Sequence, residues 1–315
     1  MIVREKRLKQ EFPLVSVGII SYNQKEYLRK CIDSCLSQDY PNFEIVVADD
    51  CSSDGTQEML RDFNTKYPGK FVLRLAEKNQ GITENSNICL NACSGTFIAM
   101  VGGDDLLLPK KISKQADFLQ RNKDVCLCGT YTRLIDSEGV QKRIKKDFKK
   151  KLNPYYNVGD LIESGNGLIP VVSYMFRAQA IPPEKFESRI HIASDALFMT
   201  RLSSKGKIYV LKEVLTAYRV HESHARKKGY ELDKALTSAF QEYYYPEWIP
   251  SIFIKKSKLY LNYSYVAFTQ GNTKLGYNML KASMLYKLSI RALIVYCFAK
   301  LGLIRLLIKI VNFSR

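Results

Sequence analysis

The chain has 315 residues, 46% of them apolar and 25% charged, and its 48 Lys and Arg against 31 Asp and Glu give a formal charge of +17. This composition excludes a disordered polymer and suits one large α/β domain or a domain with an appendage. The positive excess points to an anionic partner: nucleic acid, acidic lipid or a phosphorylated substrate.

The first 13 residues, MIVREKRLKQEFP, read as a polar lead-in without the apolar core of a signal peptide. VSVGIIS (15–21) is a near-continuous apolar run, as a strand covered on both faces requires. KEYLRKCIDSCLSQ then places Tyr27, Leu28, Cys31, Ile32, Cys35 and Leu36 on one helical face. FEIVVAD (43–49) is a second buried strand. TQEMLRDFNTKY is a helix, with Asp54 as its N-cap and Gln57 completing a capping box. FVLRLAE (71–77) is a third strand, and ITENSNICLNAC a helix ended by Ser94-Gly95. TFIAMV (96–101) is a fourth strand, KKISKQADFLQRN a helix after Pro109, and VCLCGTY (125–131) a fifth strand. Strands alternating with helices predict βαβ units and an α/β fold with a central, mainly parallel sheet.

After the basic run KRIKKDFKKK (142–151), the apolar runs GLIPVVSYMF and KIYVLKEVLTAYRV read as strands around a helix, DALFMTRLSSKG. Beyond about 225 the pattern is helical and tyrosine-rich. From Lys255 to Arg315 there are eleven Lys and Arg and no Asp or Glu. The apolar tail SIRALIVYCFAKLGLIRLLIKIVNF is interrupted by Arg291, Lys300, Arg305 and Lys309, so no uncharged run reaches the ~20 residues of a membrane span. A helix of this kind either lies in the interface of an acidic membrane or packs on its own domain. The expected division is a lead-in (1–13), an α/β domain (14–225, in two halves, 14–125 and 126–225) and a basic helical C-terminal region (226–315). The eight cysteines include no CxxC pair, and three histidines are few. Reduced, mostly buried thiols in a cytoplasmic protein are expected rather than a structural zinc site.

Ligands of a parallel α/β sheet bind outside the carboxyl ends of its strands. Here those ends carry Ser21-Tyr22-Asn23, then Asp49-Asp50-Cys51-Ser52-Ser53-Asp54-Gly55, then Gly102-Gly103-Asp104-Asp105. One such cluster is ordinary turn chemistry; three on one sheet edge argue for a site. Adjacent carboxylates hold a hard divalent cation whose other positions go to water and phosphate. The two glycines let a bulky ligand approach the backbone. Asp49 or Asp50 offers an acceptor to a base N–H, and Tyr22 a flat face for stacking. The set suits a nucleoside diphosphate.

VSVGIISYNQKEYLRKCIDSCLSQDYPNFEIVVADDCSSDGT, NQGITENSN and ACSGTFIAMVGGDD together resemble the family 2 glycosyltransferases of GT-A fold, densely over 14–125 and more weakly to about 225. The resemblance implies an inverting transferase that uses a nucleotide sugar, most often of UDP, with Mn2+ or Mg2+ as cofactor. It implies base contacts from Tyr22 and Asp50 with Asp49 close by, and donor-site positions at Ser21, Asn23 and Asn85. Gly103-Asp104-Asp105 matches the family's DxD-type motif, with Asp104 facing the ribose or the metal and Asp105 ligating the metal. His221, in YRVHESH, would touch the diphosphate or the metal. Asp195 would be the base that deprotonates the acceptor, whereas its spacing alone favours a helix N-cap. The family's assembly of surface polysaccharide implies a saccharide or lipid-linked acceptor and an acidic membrane surface at the inner face of the plasma membrane.

Three positions depart from the family: Cys51 where Gly is usual, Ser86 where Arg is common, and Ser194 where Glu precedes the catalytic Asp. A nucleotidyltransferase of related sheet and a non-catalytic nucleotide-sugar scaffold are the competing readings. Nucleic-acid binding ranks last, because no recognition motif accompanies the charge.

Overall fold

The computed structural model describes residues 12–145, 155–164, 170–191, 194–220, 230–300 and 303. The chain divides into two compact units: Met1–Leu161 with Asn166–Thr237, and Ile162–Gly165 with Ser238–Arg315.

The first unit is built on one sheet. β1 (Val15–Ser21), β2 (Phe43–Asp49), β3 (Phe71–Leu75) and β4 (Phe97–Gly102) are its parallel half, in the order β3-β2-β1-β4. Val15, Val17 and Ile19 on one face and Val46, Ala48 and Met100 on the other belong to two separate cores, which is why these strands are apolar throughout. The crossovers are α1 (Lys25–Leu36), α2 (Thr56–Lys66) and α3 (Ile82–Ala92). Leu28, Cys31, Ile32 and Cys35 of α1 face the sheet at helical spacing.

The other half is mixed. It contains the short β5 (Leu106–Leu107), then α4 (Lys111–Arg121), β6 (Val125–Ile135), β7 (Gln141–Lys145), β8 (Tyr155–Tyr156), α5 (Val158–Ser164), β9 (Met175–Arg177), α6 (Asp195–Ser203) and β10 (Lys207–Arg219). β9 is wedged antiparallel between β4 and β6, and β10 runs parallel to β6. The segment GLIPVVSYMF is therefore not one strand. Pro170 has no N–H to give a ladder, Val171–Ser173 form a 3-10 turn, and only Met175–Arg177 pair.

Asp54 is not the N-cap of α2. Gly55, at φ +83°, takes that position, and Asp54 stands one residue earlier. Its carboxylate accepts from Thr56 N and Oγ1 (3.1 and 2.6 Å) and from Lys25 N (2.9 Å). Gln57 turns away from any capping box and donates to Asp49 Oδ1 and the Ala76 carbonyl.

The second unit contains the C-terminal part of α7 (Tyr230–Tyr244), then α8 (Ile249–Thr269), α9 (Thr273–Tyr286) and α10 (Ile290–Lys300), around a small core of Leu261, Phe268, Leu280, Ala292 and Val295. No described helix is long and apolar enough to cross a membrane.

Candidate active site

Because β2, β1 and β4 are neighbours, their carboxyl ends lie side by side. The Ser21 carbonyl accepts from Asp50 N (3.0 Å) and the Ile20 carbonyl from Gly103 N (2.9 Å), so the three predicted clusters form one edge. Asn23, at φ +51°, stitches the first two loops together: its N–H donates to Ser52 Oγ and its Oδ1 accepts from Ser53 N, both at 2.8 Å.

The carboxylates of the second cluster serve different partners. Asp49, fully buried, accepts from Ser52 N and Oγ and from Gln57 Nε2, and so folds its own loop. Asp50 accepts from Gln80 N (2.7 Å) and Gly81 N (2.9 Å), fixing the turn into α3. Asn85 donates to the Ala48 carbonyl at 3.0 Å and is a pillar under the same edge. Cys51 adopts φ +65°, the left-handed region that glycine occupies most readily, so a glycine expected here from the resemblance would fit this turn. Tyr22 stands 49% exposed above the loop. Ser21 Oγ, beneath it, is buried without a hydrogen-bond partner, an orphan that a ligand at this edge would satisfy.

Asp104 and Asp105 follow β4. A methyl on residue 102 would stand 2.8 Å from Asp104 Oδ1 and 3.5 Å from Asp105 Oδ2, so both carboxylates fold over the bare Gly102. Burial, and then the neighbouring Asp104 charge, push the Asp105 carboxyl well above its usual range; Arg219 acts in the opposite direction. Arg219, itself 1% exposed, closes β10 against this turn. Its N–H donates to Asp105 Oδ1 (2.8 Å), and its guanidinium to the carbonyls of Asp104 (2.8 Å), Asp136 (2.7 Å) and Ser137 (2.9 Å). The guanidinium also sits 4.6 Å from the centre of the Tyr27 ring.

Two adjacent buried carboxylates form an oxygen donor set suited to Mg2+ or Mn2+. Among the described residues no three His, Cys, Asp or Glu side chains gather to hold a metal alone. The residues thus fit a cation whose remaining ligands come from a bound diphosphate and water. His221 lies outside the described residues.

Asp195 is the first residue of α6; the N-cap position belongs to Ser194, whose hydroxyl accepts from Glu187 N (2.7 Å) rather than from the helix. Burial first, and then the charge of Asp195, raise the Tyr174 phenol above its usual range. Ser86, where the family often has Arg, returns its hydroxyl to the Ile82 carbonyl and brings no cation.

The approach to Asp195 hangs on the polar face of α3. Thr83 Oγ1 donates to the carbonyls of Ile190 (2.6 Å) and His191 (2.9 Å), and Asn87 exchanges two 3.0 Å bonds with the backbone of Phe186. Glu187 binds Arg189 through both oxygens and the buried Arg201 at 3.0 Å. These cations, Arg189 first, bring its carboxyl down to about 2. Since the folded value lies below the unfolded one, this stabilisation is present above about pH 4.5 and fades as pH falls toward 2. It amounts to about 2 kcal/mol after allowance for the exposed Arg189. The urea midpoints of the protein and Glu187→Gln should differ clearly at pH 7, and the gap should narrow at pH 3 and close only toward pH 2; an equal gap at pH 7 and pH 2 would contradict the pairing.

The sequence profile of glycosyl transferase family 2 matches residues 16–177, just over half of the chain. The chain belongs to that family. The putative glycosyltransferase EpsE of Bacillus subtilis is 34% identical over 129 residues, which cover 41% of this chain but only 46% of EpsE. Among solved structures, S. aureus TarS 1–349 in complex with UDP-GlcNAc superposes with a TM-score of 0.64 at 18% identity, covering 93% of this family 2 chain and 89% of that one. The mannosyltransferase PcManGT of Pyrobaculum calidifontis, in complex with GDP-Man and Mn2+, gives 0.59 at 18% identity, covering 95% and 84%. The fold is the GT-A fold expected from the sequence. Reading the family 2 sequence singled out the acids at the sheet edge but missed Arg219, Thr83, Asn87 and Glu187. For Arg219 the signal in the sequence is the YRVH stretch, in which it stands two residues before His221.

Proposed function

We propose that this protein is an inverting, metal-dependent transferase. It moves a sugar from a nucleoside diphosphate sugar, with UDP the first base to try, to a hydroxyl of a saccharide or lipid-linked acceptor at the inner membrane face, in assembly of a surface polysaccharide. The observation that carries this reading is the Asp104–Asp105 turn, two buried carboxylates clamped by Arg219 beside the Ser21–Asn23 and Asp50 ends.

In this reading Tyr22 stacks on the base and Asp50 accepts from its N–H. Ser21 Oγ finds its partner in the ligand, while Asn23, Asp49 and Asn85 shape the pocket. Asp104 faces the ribose or the metal, Asp105 ligates the metal, and His221 approaches the diphosphate. The bound cation would offset charge on the leaving diphosphate. Asp195 takes the acceptor's proton as the hydroxyl oxygen attacks the anomeric carbon from the face opposite the phosphate, so the sugar inverts as the old C–O bond breaks. The GDP-Man and UDP-GlcNAc complexes of fold neighbours support a nucleotide-sugar donor and leave its base to experiment.

Incubation with UDP-, GDP- and dTDP-sugars and saccharide or lipid-linked acceptors tests this. Metal-stimulated release of nucleoside diphosphate with an inverted anomer is expected. Release of nucleoside monophosphate or pyrophosphate, or retention at the anomeric carbon, would overturn it.

A further inference from the structure

The second unit presents a feature that transfer chemistry does not use. Within ten consecutive residues Leu285 is 86% exposed, Leu288 63%, Leu293 41% and Ile294 43%. Isolated exposed leucines are ordinary, but a cluster is not. These residues do not hang on a loose strand of chain. Ser257 Oγ donates to the Lys287 carbonyl (3.0 Å) and Ser283 Oγ to the Ser257 carbonyl (2.8 Å), tying the end of α9 to α8. Ser289 Oγ then accepts from Ala292 N at 3.1 Å and caps α10. The turn is thus built, and it holds its leucines outward.

α10 is apolar on both sides: Ala292 and Val295 are buried in the unit's core, while Leu293 and Ile294 face outward. Clustered apolar side chains exposed outside a helix's core face mark an interaction surface. Charge says what. Lys281, Lys287 and Arg291 are exposed around the leucines, and no acidic residue occurs anywhere from Lys255 onward. Lys281 and Leu285, four residues apart in α9, share one side of that helix. An apolar tip flanked by these three cations, with the neighbouring acid Glu242 already paired to Lys256, matches an anionic bilayer surface. No described helix can cross the bilayer, so the element lies on it.

We propose that the α9–α10 turn is a membrane anchor: Leu285 and Leu288 enter the acyl boundary of an acidic bilayer, and Lys281, Lys287 and Arg291 meet its anionic headgroups. This deepens the reading of a membrane-adjacent acceptor by naming the element that meets the lipid. The assay below needs no turnover, so its failure and the failure of the transferase reading are distinguishable.

The test is co-sedimentation of the full chain with mixed phosphatidylglycerol–phosphatidylcholine vesicles and with pure phosphatidylcholine vesicles, alongside the mass of the protein in solution. The protein should partition onto the acidic vesicles. Leu285→Glu/Leu288→Glu should weaken partition by about tenfold or more, with its thermal melt and nucleotide binding unchanged. Lys281→Gln/Lys287→Gln, which keeps the apolar tip, should weaken it less and flatten its dependence on salt. Equal binding to both vesicle types, undiminished binding of the double-Glu variant, or a stable dimer that this variant dissolves would overturn the proposal, the last by assigning the face to a second copy of the chain.

Discussion

Asp195→Asn is expected to lower kcat by about 10^2 to 10^4, the usual worth of a positioned general base, with donor affinity nearly unchanged. The amide keeps the size of the side chain and removes its charge and its capacity to take a proton. Because Ser194 rather than Asp195 holds the N-cap position, the change should cost the helix no more than the ~0.3–1 kcal/mol of a first-turn charge. A purely structural role would reverse the pattern, moving the melting temperature and leaving turnover intact. Measuring kcat, KM for donor and the thermal midpoint on one preparation separates the two.

Arg219→Leu is expected to cost about 3–5 kcal/mol of stability, the range for breaking a buried charged network. It strands the carbonyls of Asp104, Asp136 and Ser137 and leaves the two carboxylates without their buried cation. Leu fills much of the volume, so lost packing alone would cost less. Arg219→Lys should restore charge but not the fork that reaches three carbonyls. It should fold better than Arg219→Leu and still bind nucleotide with metal more weakly than the parent. Urea unfolding with nucleotide titration checks both; a Leu variant as stable as the parent would remove Arg219 from the account.

The parallel half of the fold was legible because each strand is buried on both faces, and a continuous apolar run followed by a 3.6-residue pattern has few other structures to adopt. The site edge was legible for the same reason: once the strands are placed, their carboxyl ends are placed. What each acid does there was not. Asp49 and Asp50 are adjacent in the same motif, yet one is spent on its own loop and the other on the turn into α3. Asp54 reads as a cap until Gly55, by turning left-handed, moves the helix start one residue on. Arg219 binds partners 82 to 115 residues away, and no local pattern encodes such a meeting. β9 reads in the sequence as part of a longer strand, GLIPVVSYMF, because three residues of pairing carry almost no periodicity of their own to mark its ends.

The most direct test of the central claim is calorimetric titration of UDP, GDP and dTDP, with and without Mn2+, into the protein and into Asp105→Ala. The account predicts that one nucleotide binds tightly only with the metal and that Asp105→Ala abolishes this binding. Binding that ignores both metal and Asp105, or no binding by any of the three, would contradict it.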